Sequence, residues 1–528
     1  MEGTFWAFMP AIIAIVLALA TKQVYVSLFL GIFVGAMMYS GFDPLKALFT
    51  LYQVMSEKVG SNTPIIVFLV VLGILVVLMQ KSGGAKAYGE WAGRKIKSKS
   101  GALAATAGLG CLIFVDDYFN CLTVGSVMRP VTDKFKVARS KLAYIIDATA
   151  APICIIAPIS SWAAAVAGEL EGDGLTVFMS TIPFNVYALL TIVMVFTLCF
   201  VKFDFGKMKK NDRIAEMTGD VHAGVEQDSK DDEQIAVNSK GKVRHLLIPV
   251  IVLIISCIGG MLYTGFFYNW DTGLIGTELQ SANVIEAFSN CDAGMSLAIG
   301  STVALVVIAA YYMIAGVVSF KEITGSFTEG FKAMVPAILI LTFAWSISGI
   351  MGAKGGYLDA QAFVESNLAG SDFPRFLFPA IFFVLAGLIA FSTGTSWGTF
   401  GVLVPIAVTI LGGSGALTIL TVSATLGGAV FGDHVSPISD TTILASAGAQ
   451  CNHVEHVNTQ LPYAALVAGI SFVAYLVAGA TIGLGSVLSC VIMWVAALLM
   501  LAGAVFAIRY MQKKKGEQVE VETPAQDE

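Results

Sequence analysis

Apolar residues in this chain run in long continuous stretches, without the three-four rhythm of a surface helix or the alternation of a half-buried strand. A hydrocarbon core of about 30 Å takes about 20 helical residues to cross. Stretches of that order occur at 5–20, 24–40, 64–80, 142–168, 180–202, 246–265, 294–315, 333–352, 416–445, 461–482 and 485–509. Two further stretches, 101–130 and 376–411, have the length for two short passes but are interrupted by polar and glycine residues. They read as re-entrant hairpins or broken helices. The pattern predicts an all-α polytopic membrane protein with about 11 full transmembrane helices plus these two hairpins. The first span has no basic segment before it and carries Thr21-Lys22 where a cleavage site is expected, so it is read as retained.

Composition agrees. Only 13% of the 528 residues are charged, 56% are hydrophobic and the mean hydropathy is +0.79. That is too little charge to coat a soluble enzyme of this length. No basic stripe interleaved with aromatics points to nucleic acid, and a net charge of −6 says little about partners. No nucleophile–base arrangement or nucleotide motif suggests an enzyme. The eight cysteines show no metal-ligand spacing and read as small core residues.

Short basic loops stay on the cytoplasmic side. Basic clusters at 81–99, 129–141, 202–244 and 509–515 are expected inside, and the acidic stretch 266–293 outside. Threading the chain through these constraints puts the N-terminus outside and the C-terminus in the cytoplasm. The first hairpin then enters from inside and the second from outside, which implies two inverted-topology repeats. Pro158-Ile159-Ser160 after the first hairpin and Pro437-Ile438-Ser439 after the second fit that duplication. The expected divisions are 1–202, first repeat; 203–245, hydrophilic cytoplasmic linker; 246–482, second repeat; 483–512, an extra helix; and 513–528, a disordered tail. The mixed charges of the linker read as solvated, with a regulatory or partner-binding segment as the alternative.

Carboxylates at membrane depth cost about 2.5–3.5 kcal/mol each, so acids there usually face a partner or a water-filled path. The first hairpin carries Asp116, Asp117 and Asn120, and the next span carries Asp147. The second repeat carries Asp433, Ser436, Asp440 and Thr441. Asp116 and Asp117 would repel if both were charged, so they are expected to share a cation or proton; a helix cap is the alternative. Asp433, Ser436 and Asp440 would share one face of a regular helix. Pro437 lacks an N–H and is expected to free the Asp433 carbonyl for a cation, as Pro158 would free that of Cys154; a packing kink is the alternative. The second hairpin offers Ser392, Thr393, Thr395 and Ser396, which with Ser160 and Ser161 are candidates for an organic substrate, or simply allow close helix packing. His434 is a proton carrier or a structural orienter of Asp433 or Asp440. His453 and His456 are expected to be solvated, and Lys141 to snorkel.

Gly432-Asp433-His434-Val435-Ser436-Pro437-Ile438-Ser439-Asp440-Thr441-Thr442, continuing through Cys451–Val457 to Thr459-Gln460-Leu461-Pro462-Tyr463, resembles the signature of the NhaC-type Na⁺/H⁺ antiporters. Asp116-Asp117-Tyr118-Phe119-Asn120 and Asp147-Ala148-Thr149-Ala150-Ala151-Pro152 are also similar to motifs of that family. The resemblance implies inverted repeats with re-entrant hairpins, no cofactor, and Na⁺ and H⁺ as coupling ions, with Na⁺ held at Asp433, Asp440 and Asp117. The same residues suit a Na⁺-coupled carrier of an amino acid or small organic acid, as a symporter or a malate/lactate-type exchanger, which stays open here. The bilayer is the expected partner; a small organic substrate and a homodimer also stay open.

Overall fold

The long apolar runs fold as helices because hydrocarbon offers backbone groups no hydrogen-bond partner, and a helix satisfies them within one segment. The computed structural model describes every residue except 1, 22, 171–173, 202, 226–237, 270–273, 285–286, 288–290, 352–356, 361, 364–373, 414 and 516–528. Part of the linker, of the acidic stretch and of the tail therefore lies outside the described residues. The first half comprises α1 Met9–Thr21, α2 Val24–Tyr39, α3 Pro44–Ser61, α4 Thr63–Lys81, α5 Gly84–Lys95, α6 Lys99–Leu112, α7 Asp117–Lys134, α8 Arg139–Cys154, α9 Ser161–Ala167, α10 Gly174–Thr181 and α11 Val186–Phe200. The linker carries α12, Gly206–Thr218. The second half comprises α13 Arg244–Phe267, α14 Ala293–Ile314, α15 Phe320–Met351, α16 Phe378–Thr393, α17 Ser396–Leu411, α18 Ala416–Val435, α19 Asp440–Ala449, α20 His453–Thr481 and α21 Ser486–Lys515. A two-stranded hairpin, β1 Tyr268–Asn269 with β2 Leu274–Ile275, follows α13.

Among the described residues, 7 helices are long and apolar enough to cross a membrane, or up to 10 if each bent pair is one span. The expected number of about 11 is not confirmed: stretch 5–20 yields only the short apolar helix Phe5–Leu17, and 142–168 is divided into pieces too short to span, whereas Ala416–Val435 still qualifies. Stretches 142–168 and 416–445 are each broken at Pro158 or Pro437 into two half-helices, α8 with α9 and α18 with α19. The sequence reading also passed over α3, which bends back from α2 by 119°. Polar residues between its apolar ones hide it from a search for continuous runs.

The two halves repeat one plan. The starts of α6 and α16, α7 and α17, α9 and α19, and α10 and α20 are all separated by 279 positions. Each half thus holds a helical hairpin followed by a broken helix. In the second half the hairpin packs tightly on the broken helix because glycines line the crossing. A Cβ on Gly428 would meet the Phe383 carbonyl, and one on Gly432 the Gly387 carbonyl.

The linker departs from a solvated strand of charge. Met208, Asn211, Asp212 and Ala215 of α12 are buried. Lys141, expected to snorkel, is buried and lies 2.8 Å from Asp204 and 3.0 Å from Asp212; Lys99 lies 2.8 Å from Asp212. The Asn211 amide donates to Glu455 at 2.7 Å. Alternating charges along α12 meet opposite charges at the ends of α6, α8 and α20, so the helix is docked.

Candidate functional site

Four chain breaks are brought together, and each is finished by a side chain that caps the following half-helix. Asp116 caps α7 by accepting the Phe119 N–H at 3.0 Å, and Thr395 caps α17 by accepting the Gly398 N–H at 3.4 Å. Ser160 caps α9 through the Ala163 N–H at 3.0 Å, and Ser439 caps α19 through the Thr442 N–H at 3.2 Å. These four positions stand 279 apart in pairs, so the caps themselves are duplicated. Gly394, with φ +69°, turns the second hairpin where a side chain would strain it and would meet the Ile438 carbonyl.

The acids divide by what they touch. Both oxygens of Asp116 are used: Oδ1 by the cap, and Oδ2 by the Ser161 hydroxyl at 3.2 Å. The cap alternative therefore holds for Asp116, in a buried setting. Asp117 is fully buried; its Oδ1 accepts the Tyr118 N–H at 3.2 Å, and its Oδ2 has no partner within the protein. Asp433 accepts the Thr441 hydroxyl on Oδ2 at 3.0 Å and leaves Oδ1 unpartnered. Asp117 and Asp433, from opposite halves, are close enough for their charges to act on each other. Asn120 spends its amide on the carbonyls of Gly110 (2.7 Å) and Ile113 (2.8 Å), closing the end of α6, and its Oδ1 is unpartnered.

Asp147 joins α8 to the second half. Its Oδ2 accepts Thr442 Oγ1 at 3.1 Å and Gln460 Nε2 at 2.6 Å, while Oδ1 is unpartnered. His456 Nε2 lies 3.3 Å from the same Oδ2, in charge-pair range but not aligned as a hydrogen bond. His456 is fully buried, contrary to the expectation of a solvated residue. His453 bridges Ser446 Oγ at 3.2 Å and the Pro437 carbonyl at 2.7 Å, tying α20 to the second break. The spacing of His456 and Gln460, four apart on a helix capped by Asn452, is the signal that could have placed both on one inward face.

Several expectations are corrected. Asp433, Ser436 and Asp440 do not share a helix face: Asp433 ends α18, Ser436 caps it, and Asp440 opens α19. The Asp433 carbonyl is not free, since it accepts the Ser436 N–H at 3.1 Å and Thr442 Oγ1 at 3.3 Å. Nor is that of Cys154, which accepts the Ser160 hydroxyl at 2.7 Å. Pro158 and Pro437 break their helices outright, and hydroxyls take over the released carbonyls. Asp440 is exposed and accepts the Tyr118 hydroxyl at 3.3 Å. Among the described residues, no three of His, Cys, Asp and Glu converge closely enough to hold a metal ion, so Asp433, Asp440 and Asp117 are not preassembled as a triad. His434 pairs through Nδ1 with Tyr187 Oη at 2.9 Å, not with an acid.

The hydroxyls of the second hairpin serve the backbone. Thr393 donates to the Ile389 carbonyl at 2.8 Å and Ser396 to that of Ala429 at 3.2 Å, while Ser436 donates to Phe391 at 2.7 Å. Ser392 is half-buried.

Discontinuous helices that meet at buried carboxylates, inside a bundle of apolar spans, define an ion-coupled secondary transporter. Residues 163–480 match the sequence model of the Na⁺/H⁺ antiporter family, and the chain belongs to that family. An uncharacterized protein of Haemophilus influenzae is 39% identical over 91% of this chain and 92% of its own length. The malate-2H(+)/Na(+)-lactate antiporter of Bacillus subtilis is 31% identical over 27% of this chain and 30% of its own. An uncharacterized Na(+)/H(+) antiporter of Haemophilus influenzae is 30% identical over 26% of this chain and 28% of its own. The crystal structure of the Alcanivorax borkumensis YdaH transporter aligns with 88% of this chain and 98% of its own, at 16% identity and a TM-score of 0.47. By family the chain is a sodium-coupled antiporter, and the alternative of an amino-acid or organic-acid carrier is not favoured.

Proposed function

We propose that the protein exports Na⁺ in exchange for protons across a bacterial inner membrane, and that Asp117, Asp433 and Asp147 are where the two cations alternate. The observation that carries this reading is the pair Asp117 and Asp433. They are buried, come from opposite halves, act on each other, and each keeps an oxygen with no partner in the protein. Two such carboxylates cannot both stay charged and unoccupied at this depth. Na⁺, a hard cation, takes oxygen ligands. Asp117 Oδ2, Asp433 Oδ1, the neutral Oδ1 of Asn120 and the Thr441 hydroxyl are the available set. When Na⁺ leaves, a proton on one carboxylate restores neutrality, and competition for the same oxygens becomes exchange. Thr442 and Gln460 hold Asp147, with His456 in charge-pair range, where the Asp147 charge acts on Asp433. Asp116, Ser160 and Ser439 act as positioning residues, because their oxygens are spent on caps.

In this reading the two halves are inverted repeats. The basic loops and α12 face the cytoplasm, the N-terminus lies outside, and rocking of one half on the other opens the breaks alternately. The test is uptake in proteoliposomes holding the full chain. A Na⁺ gradient should drive protons the opposite way with no organic substrate present, and the apparent Na⁺ affinity should weaken as pH falls. Asp433→Asn should abolish both effects at normal insertion. Na⁺ flux strictly dependent on an added amino or organic acid would overturn the proposal.

A further inference from the structure

A second buried carboxylate stands apart from this site, and the sequence reading did not single it out. Glu169, just past the end of α9, is 7% exposed, and neither of its oxygens has a partner in the protein. It follows Ser161, which touches Asp116, by eight residues, which is about 12 Å along a helix rising 1.5 Å per residue. Its walls are small and apolar. A Cβ on Gly401 of α17 would come 3.8 Å from Glu169 Oε1, and one on the adjacent Gly168 would meet Ile65 of α4 and, at 3.2 Å, the indole nitrogen of Trp345 of α15. That indole N–H is also buried and unpartnered. The charged group acting on Glu169 is Lys58 of α3, itself exposed, with its stem lying along Gly349 of α15.

Between Glu169 and the central pair lie more groups of the same kind. Trp397 sits one turn before Gly401 on α17, and its ring is 5.6 Å from that of Trp162 on α9. Both rings are buried, and both indole N–H groups are unpartnered. Trp162 in turn approaches the Asp117 carboxylate without hydrogen-bond alignment. Glu169, Trp345, Trp397, Trp162 and Asp117 thus form a string of unsatisfied polar groups inside an apolar bundle. Each would cost about 1–3 kcal/mol if it stayed dry through the cycle. The indole N–H groups can only donate and so cannot carry a proton themselves, but a row of unpartnered donors ending in a titratable acid, with an exposed ammonium beside it, suits a file of proton-carrying waters better than a packing defect. It also runs toward the Ile65 end of α4, opposite the Lys81 end that meets Glu329.

We propose that Glu169 is a second proton-binding carboxylate of this protein, through which protons pass between bulk water and the Asp117–Asp433 site on the face opposite the basic loops. This rests on the exchange reading above. The Glu169 carboxylate takes a proton from water at the Lys58 side and releases it through water to the Asp117 carboxylate, returning to its charged form. Na⁺ does not use it, because no neutral oxygen ligands stand beside it among the groups named.

The test separates the two ions in proteoliposomes holding the full chain. Glu169→Gln should slow Na⁺-driven proton movement about 100-fold while leaving exchange of radioactive Na⁺ for Na⁺ within about twofold, since only proton transfer has lost its relay. Glu169→Asp should restore part of the proton flux. Proton movement at the wild-type rate in Glu169→Gln overturns the proposal, and so does equal loss of both fluxes, which marks a structural role. Absence of Na⁺-driven proton movement in the wild type would instead sink the exchange reading itself. If Glu169→Gln does not accumulate, the wild-type protein decides. Dicyclohexylcarbodiimide, which attacks protonated buried carboxyls, should label Glu169 on peptide mapping, less as pH rises. No labelling of Glu169 at any pH would overturn the assignment.

Discussion

The amide of Ser161 donates to the carbonyl of Val115 at 3.0 Å, fastening the start of α9 to the tip of the first hairpin. The same bond recurs 279 positions later, where the Asp440 amide donates to the Gly394 carbonyl at 3.4 Å. In each half, then, a hairpin tip is held to the break in the following helix by one backbone hydrogen bond at equivalent positions. What differs is the chemistry placed on the shared frame. The first tip has Asp116 and Asp117 where the second has Thr395 and Ser396, and the second break has Asp433 where the first has Cys154. One half supplies its acid on the hairpin and the other on the broken helix, and the charges of the two act on each other.

Gln460 should prove more important to the fold than its place on a long apolar helix suggests. Its amide reaches both Asp147 Oδ2 and the His434 carbonyl at 2.6 Å. Gln460→Leu removes both donors and leaves two buried acceptors short of a partner, a change expected to cost about 1–3 kcal/mol. Denaturant unfolding in detergent should show that loss. Unchanged stability would mean the amide bridge is not formed.

The crossing of α16 and α18 should be intolerant of side chains. Gly428→Ala places a methyl against the Phe383 carbonyl, which cannot move aside as a flexible side chain would. Overpacking of this kind costs about 1–3 kcal/mol, and parting the helices displaces the Gly394 tip from Asp440. Both lowered thermal stability and reduced exchange are expected. Gly469→Ala, whose Cβ meets nothing within 4 Å, is the control.

The membrane class and the acids of the site were legible because they depend on local signals. A continuous apolar run has few soluble alternatives, and a carboxylate inside one stands out. The hairpins at 101–130 and 376–411 were legible through their glycines and polar interruptions. What the sequence concealed was geometry across the chain. Asp116 and Asp117 are adjacent and alike in type, yet one caps a helix and the other keeps a free oxygen. That difference depends on Ser161, 45 positions away. His456 looked solvated because its neighbours in sequence are polar, but the face it turns inward meets Asp147, more than 300 positions earlier. Glu169 follows a small-residue helix and precedes an acidic stretch, so only packing shows that it is buried.

Sidedness can be read with single cysteines in a background lacking the eight native ones. Thr218, at the end of α12, and Glu278, after the β-hairpin, are both exposed. A cysteine at 278 should react with a membrane-impermeant thiol reagent in intact cells, and one at 218 only after the cytoplasmic face is opened. The reverse result would invert the orientation drawn from the basic loops.

Docking of α12 should depend on pH in a direction set by Asp212. Burial alone would raise its carboxyl, but the ammonium groups of Lys141 and Lys99, with the Ala138 N–H, outweigh burial and hold it below the usual carboxylate range. At Asp204 burial prevails over Lys141, and its carboxyl stands above that range. The two acids therefore act in opposite senses. An unfolded Asp titrates near pH 3.9, so the contribution of Asp212 is complete above about pH 5 and is lost as pH falls through its lower folded value. That of Asp204 is present at low pH and declines as pH rises through its folded value. Asp212→Asn should lower the unfolding temperature at pH 7, and the gap from wild type should close on acidification toward pH 3. Asp204→Asn should do less at pH 7, because the charged form there is the disfavoured one. Intrinsic-fluorescence melting between pH 3 and pH 8 measures both gaps, and a deficit in Asp212→Asn that stays constant across that range would falsify the electrostatic account of how α12 is held.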